Sequence, residues 1–162
     1  MNEQRIGIGV DVHPFFDPDE PTGDRELILG GVTFPGARPL RGHSDADAVA
    51  HAIGDAVLGA AGLGDLGMHF PDTDPEWHGA DSLKILAGCL ALAANEGWAL
   101  VNADCTIVTE TPKIAPVREE MMQRLTEIAG APIHVKATRP EGLGTLGRTE
   151  GIACLAVALL GR

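Results

Sequence analysis

The run RIGIGVDVH (5–13) ends in an aspartate and a histidine two positions apart. Side chains at i and i+2 of a strand leave it on the same face, so Asp11 and His13 are expected to point the same way. His51 lies further on in a helical pattern, with Asp47 and Asp55 four residues to either side. On a helix these three project in nearly one direction. A strand giving Asp-x-His and a helix giving one His would supply three ligands and leave a fourth tetrahedral position open. That is the arrangement of a catalytic rather than a closed structural zinc site. Asp47 or Asp55 could accept the second ring N–H of His51 and fix its tautomer. The alternative is plain: polar residues at a strand end and a solvated helix face. Spacing leaves both readings open.

Other segments carry weaker signals. GHSDAD (42–47) places His43 and Ser44 where a helix is expected to begin, and helix N-termini favour anions. GDLGMHFPDTD (64–74) sets Asp65, Asp72 and Asp74 among Gly and Pro, either as an acidic surface loop or as a binding loop for sugar-like hydroxyls. In TETPK (109–113), Pro112 suits a first helical turn and Lys113 could meet a phosphate or a base. KATRPEGLG (136–144) offers Thr138 as a hydroxyl donor and Glu141 as a ligand for a hard cation such as Mg2+. Arg148 stands just before the last apolar run. Alone, each of these is ordinarily a solvated loop residue.

The elements that must position them follow from periodicity. Ile6, Ile8, Val10 and Val12 alternate with Gly7, Gly9, Asp11 and His13, which predicts a strand with one apolar face. Residues 14–26 read as a Pro- and acid-rich surface loop, and ELILGGVTFPG (26–36) as a second extended segment. A helix is expected from Ser44 to the glycines near 62–64, and another from Asp81 or Ser82 to Gly97. Residues 100–109 alternate again, with Val101, Ala103, Cys105 and Ile107 on one face. A turn and a third helix occupy 111–130, then a strand PIHVKAT, a loop over 139–151, and IACLAVALL as a buried strand. The order β-β-α-α-β-α-β-β predicts an α/β fold (an α+β sandwich), a mixed β-sheet with helices on one face. The other sheet face is apolar by pattern, and an oligomer is the natural way to cover it.

Composition narrows the function. At 162 residues the chain fits one domain, with a core built from Ala, Val, Ile and Leu because aromatics are only 4%. Net charge is −11, from 23 acids against 12 bases. That argues against a nucleic-acid or anionic-membrane partner, both of which need clustered Lys and Arg. A small anionic substrate would need compensation by a metal, a cation or helix N-termini. Cys89, Cys105 and Cys154 form no C-x-x-C and sit in apolar sequence, as free thiols do in a reducing compartment. MNEQRIGIGV lacks a signal-peptide pattern, and no apolar run reaches the length of a membrane span, so a cytoplasmic protein is expected.

Together the motifs resemble one family: 2-C-methyl-D-erythritol 2,4-cyclodiphosphate synthase, of the non-mevalonate isoprenoid pathway. The matching pieces are RIGIGVDVH, LGGV, GHSDADAVAHAIGDAVLGAAGLGDLG, HFPDTDP, GADS, NADCTI, PKIAP, VKAT, EGLG and GR-x-EGIA, in order over nearly the whole chain. The resemblance implies a homotrimer packed through its sheets, with active sites between subunits. It implies zinc on Asp11, His13 and His51, and a second ion, Mg2+ or Mn2+, through Glu141. The implied substrate is 4-diphosphocytidyl-2-C-methyl-D-erythritol 2-phosphate, whose 2-phosphate attacks its own β-phosphorus and expels CMP. His43 and Ser44 would position the 2-phosphate and erythritol end, with Asp65, Leu66, Gly67, Phe70, Asp72 and Asp74 beside them. Thr109, Lys113, Ile114, Ala137 and Thr138 would hold the cytidine half from the neighbouring subunit. Attack of one anion on another needs charge neutralisation and alignment more than a protein nucleophile.

Two departures stand out. Where the family often reads K-A-T-T-T-E, this chain reads K-A-T-R-P-E, so Arg139 replaces a threonine implied to act on the transition state beside His43 and Thr138. The family's aromatic ahead of the G-R pair is also absent, with Thr145 and Leu146 in its region. In relatives that region lines an axial channel for an isoprenoid diphosphate, of which Arg148 remains here. Two other classes compete with the synthase: a binding module sensing nucleotide or isoprenoid diphosphate, and a zinc phosphohydrolase.

Overall fold

A computed structural model describes residues 3–162. Its main sheet has four strands in the order β1-β6-β4-β5. β1 (Gln4–Pro14) runs antiparallel to β6 (Gly151–Gly161) along its whole length, with Gln4 opposite Gly161 and Pro14 opposite Gly151. β6 is antiparallel to β4 (Ala99–Val108), and β4 is parallel to β5 (Ile133–Thr138). The helix α4 (Arg118–Ala129) makes the crossover that a parallel pair requires. The C-terminal run is thus a strand, as expected, and lies inside the sheet. The helices α1 (Ala48–Ala61), α3 (Ser82–Asn95) and α4 pack together over one face. The mixed sheet with helices on one side is the architecture that the alternating patterns predicted.

Four local differences have identifiable causes. The segment 26–36 is a hairpin rather than one extended piece, with β2 (Leu27–Leu29) and β3 (Val32–Phe34) joined by Gly30 and Gly31. Both glycines have positive φ, 57° and 73°, as a two-residue hairpin turn demands. Short helical turns occupy α2 (Leu66–His69), residues Pro75–Trp77 and α5 (Gly144–Gly147), all in segments expected to be loops. Val101 does not join Ala103, Cys105 and Ile107 on the helix side, because the β4–β6 register shifts between Leu100 and Asn102. The extra residue turns Val101 outward. Finally, α1 begins at Ala48 rather than Ser44, because Asp47 is its N-cap and Ala46 takes a left-handed φ of 61°.

The faces of β1 are inverted relative to a usual half-buried strand. Its large apolar residues, Ile6, Ile8, Val10 and Val12, are 54–74% exposed on the face away from the helices. Leu155 and Val157, paired across from Val10 and Ile8, extend that surface onto β6. Gly7 and Gly9 instead face α1 at backbone contact. A Cβ added at Gly9 would stand 2.0 Å from the Ala52 carbonyl oxygen, and one at Gly7 equally close to that of Ala56. Two residues of strand advance about 6.7 Å and four of helix about 6.0 Å, so the Gly-x-Gly and Ala-x3-Ala repeats stay in step. Among the described residues, no helix is long and apolar enough to cross a membrane.

This contact has a testable sign. Gly9→Ala is expected to cost about 1–3 kcal/mol, as overpacking does. At the exposed helical Gly59 an added Cβ would come no closer than 3.9 Å to the Ile8 carbonyl oxygen, so Gly59→Ala is expected to gain about 0.5–1 kcal/mol. Equilibrium denaturation of the two variants checks both directions.

Candidate functional site

Asp11 and His13 continue the inner face of β1 beyond Gly7 and Gly9, and α1 brings His51 over them. Asp11 Oδ2 lies 3.6 Å from His13 Nε2 and 3.5 Å from His51 Nδ1. Three donor atoms, one from each residue, fall within 4.8 Å of one another. Asp11 Oδ2 and His13 Nε2 are buried and have no hydrogen-bond partner. Buried polar atoms are normally satisfied, so two bare lone-pair donors facing one point call for a cation between them. Metal–ligand bonds of about 2.0–2.2 Å in a tetrahedron set donors about 3.3–3.6 Å apart, which fits the two short separations. The tautomers fit as well. His13 Nδ1 is 3.1 Å from the Val12 carbonyl oxygen and donates to it, which leaves Nε2 bare.

His51 sits in a strongly negative surround. Burial disfavours its imidazolium, but the Asp11 carboxylate 3.5 Å away, with the charges of Asp47 and Asp45 beyond, outweighs that and raises its pKa. Neither Asp47 nor Asp55 is the ring partner expected from helical spacing. Asp47 is fully buried and accepts from the N–H groups of Gly30 (2.8 Å), Gly31 (2.7 Å), Val49 (3.0 Å) and Ala50 (3.2 Å). It ties the β2–β3 turn to the start of α1, and burial pushes its carboxyl up to about 6. Asp55 accepts from the Leu66 N–H at 3.2 Å and holds α2. The ring instead meets hydroxyls: His51 Nε2 is 2.9 Å from Ser82 Oγ and 3.2 Å from Ser44 Oγ.

An open cavity of about 580 Å3 lies over the three donors. His43, Ser44, Leu66, Gly67, Phe70 and Asp72 line it. His43 Nε2 is 3.2 Å from the Asp74 carbonyl oxygen, and its ring meets that of His78 edge-on at 5.0 Å. His43 and Ser44 are not at a free helix N-terminus, because the Asp47 carboxylate already occupies the first amides of α1. Asp65 and Asp74 are N-caps, of α2 and of the 75–77 turn, and their carboxylates accept from Met68 and Glu76 N–H groups. Neither residue lines the cavity. Periodicity also missed other lining residues, among them Arg41, Trp77 and Ile85. Trp77 packs edge-on against Phe70 at 5.0 Å, a contact with no short-range sequence signal.

The remaining candidates lie elsewhere. Thr109, Lys113, Ile114, Ala137, Thr138 and Arg139 line a second cavity of about 460 Å3, between the ends of β4 and β5, which shares no lining residue with the first. Arg139 is held there by Glu110, its Nε 2.8 Å from the carboxylate, whose other oxygen accepts from the Gly142 N–H at 2.7 Å. Glu141 is exposed with a left-handed φ of 54°, and lines neither cavity. Arg148 pairs with Glu150 at 2.7 Å beside a third cavity that Arg38 and Arg41 also line.

The fold and the bare donor set define the class: an α/β protein with three residues that could hold a metal ion at the floor of an open cleft. Residues 4–161 match the model of the YgbB family, and the chain belongs to that family. It is 54% identical over 159 residues to the 2-C-methyl-D-erythritol 2,4-cyclodiphosphate synthase of Geobacillus kaustophilus, covering 96% of this chain and 97% of that one. It is equally similar to a bifunctional enzyme IspD/IspF of Anaeromyxobacter dehalogenans, but spans only 39% of that longer protein. Among solved structures, the bifunctional IspDF of Campylobacter jejuni superimposes with a TM-score of 0.91 at 36% identity, covering 99% of this chain and 43% of that one. The IspF of Plasmodium falciparum, solved as a CDP complex, gives 0.81 at 31% identity, covering 97% and 95%.

Glu110 offers a pH test of the second cavity. The Gly142 N–H and then Arg139 hold its carboxyl below the usual glutamate range. A depressed pKa means that the loop tie is present above the ordinary value and is lost only as pH falls through the lowered one. The Gly142 amide resonance is expected to titrate below the range of free glutamate, and Arg139→Ala to move that midpoint upward.

Proposed function

We propose that the chain converts 4-diphosphocytidyl-2-C-methyl-D-erythritol 2-phosphate into 2-C-methyl-D-erythritol 2,4-cyclodiphosphate and CMP, as a cytoplasmic enzyme of isoprenoid precursor synthesis. The observation that carries this reading is the set of bare donors on Asp11, His13 and His51 beneath an open cleft, in a chain of the cyclodiphosphate synthase family. Zinc held by these three residues would supply a Lewis acid against a phosphate oxygen, and Mg2+ or Mn2+ on Glu141 a counter-charge for the diphosphate.

The chain's own residues account for the rest. His43 and Ser44 face the cleft and would orient the 2-phosphate, which needs no general base because it is already ionised near neutral pH. Phe70, Trp77 and Ile85 wall the cleft with apolar surface, which would disfavour water beside the attacking oxygen. Lys113, Thr138 and Arg139, with Thr109, Ile114 and Ala137, would bind the cytidine and leaving-group end. Arg139 brings a guanidinium where relatives carry a hydroxyl, so it would offset phosphate charge directly. The proposed sites take Asp65 and Asp74 as supports of the loops they cap.

The two cavities in one chain do not meet, which supports a site completed between subunits. The exposed face of Ile6, Ile8, Val10, Val12, Leu155 and Val157 supports a homotrimer that buries it. An isoprenoid diphosphate on the trimer axis would be met by Arg148.

Incubation of the purified protein with the substrate and Mg2+ is expected to give CMP and the cyclic diphosphate in equal amounts. Binding without turnover would support a sensor, and a linear phosphate product a hydrolase. His51→Ala is expected to remove turnover and bound zinc while sedimentation still shows a trimer. Full activity of metal-free protein would overturn the zinc assignment, and a monomer at micromolar concentration the trimer.

A further inference from the structure

Behind the metal ligands lies a buried polar cluster of which Ser44 reaches the cleft while Ser82 and Asp45 do not line it. Ser82, the first residue of α3, is fully buried, and Ser44 nearly so. Ser82 Oγ stands 2.9 Å from His51 Nε2 and donates to Asp45 Oδ1. Asp45 is anchored in turn: Oδ1 accepts from the Asp47 N–H at 3.1 Å, and Oδ2 from the Ser82 N–H at 3.1 Å. Ser44 Oγ is 3.2 Å from both Ser82 Oγ and His51 Nε2, and accepts from the Ala46 N–H at 3.1 Å.

Counting protons gives this cluster a direction. A carboxylate can only accept, so the single Ser82 O–H proton is committed to Asp45. The Ser82 oxygen then has only lone pairs to offer toward His51, and the ring must bring the proton. His51 is therefore an Nε2–H tautomer, and Nδ1, the atom 3.5 Å from Asp11 Oδ2, is left with its lone pair exposed to the cleft. Ser44 cannot fix the same direction: it has no carboxylate of its own, and its hydroxyl is free to point either way.

We propose that Ser82 and Asp45 are positioning residues of the metal site, a two-step relay that selects the metal-binding tautomer of His51 and locks its ring. The proposal rests on the metal reading above. It assigns a function to two residues that helical spacing overlooked, one before α1 and one at the head of α3. It also gives a reason for a serine rather than an apolar residue in the fully buried contact between the two helices. Partners of this kind typically change metal affinity about 10–100-fold.

The test is zinc affinity of the whole protein, by competition with a chromophoric chelator, with thermal unfolding of the metal-free forms alongside. Ser82→Ala keeps the α3 backbone and is expected to weaken zinc binding about tenfold or more, with metal-free unfolding little changed. Ser44→Ala is expected to weaken it less than about threefold, since Ser82 and Asp45 remain. Equal affinities for wild type and Ser82→Ala would overturn the relay while leaving the metal site intact. Failure of the wild type itself to bind zinc would overturn the metal reading instead. A measurement without any variant guards against misfolding: at a pH high enough to leave the ring neutral, ring 15N shifts of His51 in the metal-free wild type should report the Nε2–H form. A ring protonated on Nδ1 alone would refute the proposal.

Discussion

Strand β1 and helix α1 touch through their backbones, with nothing larger than a hydrogen of Gly7 and Gly9 between them. Everything else in the molecule follows from that proximity. A strand and a helix separated by ordinary side chains lie about 10 Å apart; here the glycines bring the pair closer, and Asp11 Oδ2 comes to 3.5 Å from His51 Nδ1. Ala52, Ala56 and Ala60 supply the matching flat surface on α1. Side chains reappear only past Gly9, where Asp11 and His13 reach upward and His51 reaches down. The scarcity of aromatic residues suits this arrangement, because the central contact has no room for them.

Acidic residues near the site divide cleanly by partner. Asp45, Asp47 and Asp55 spend their lone pairs on backbone N–H groups and on one serine hydroxyl, joining the β2–β3 turn, α1, α2 and α3. Among the acids of the described residues, only Asp11 has a buried oxygen without a partner. The excess negative charge is therefore largely structural at this spot, since a carboxylate held by several N–H donors is a fixed loop anchor. Its by-product is a field that favours positive charge at His51, which is also what a divalent cation needs.

Much of this was legible in the residues themselves. The alternation of β1 placed Asp11 and His13 on one face, and the Asp81 cap and terminal glycines placed α3 to within a residue or two. Helical spacing failed for Asp47 because that residue is not in the helix: its backbone is extended and its side chain folds back onto the first amides, as caps do. A helical wheel cannot represent this. Val101 defeated the period of two because a bulge adds a residue without altering composition. Ser82 and Asp45 are 37 positions apart, and nothing local announces that they meet. The motif resemblance reached the right family, but the direction of hydrogen bonding behind His51 is visible only in three dimensions.

The inverted faces of β1 carry one more implication. Branched side chains on its outer face stand free of the helices, so exchanging one for another leaves the packing of β1 on α1 untouched. Its length cannot change by a single residue. One insertion or deletion between Ile8 and Asp11 would either drive Ile6 and Ile8 towards the carbonyls of α1, where no Cβ fits, or swing both ligands to the outside. The strand therefore tolerates drift in composition but not in count, and its pairing with β6 from Gln4 to Pro14 is held in phase from both sides at once.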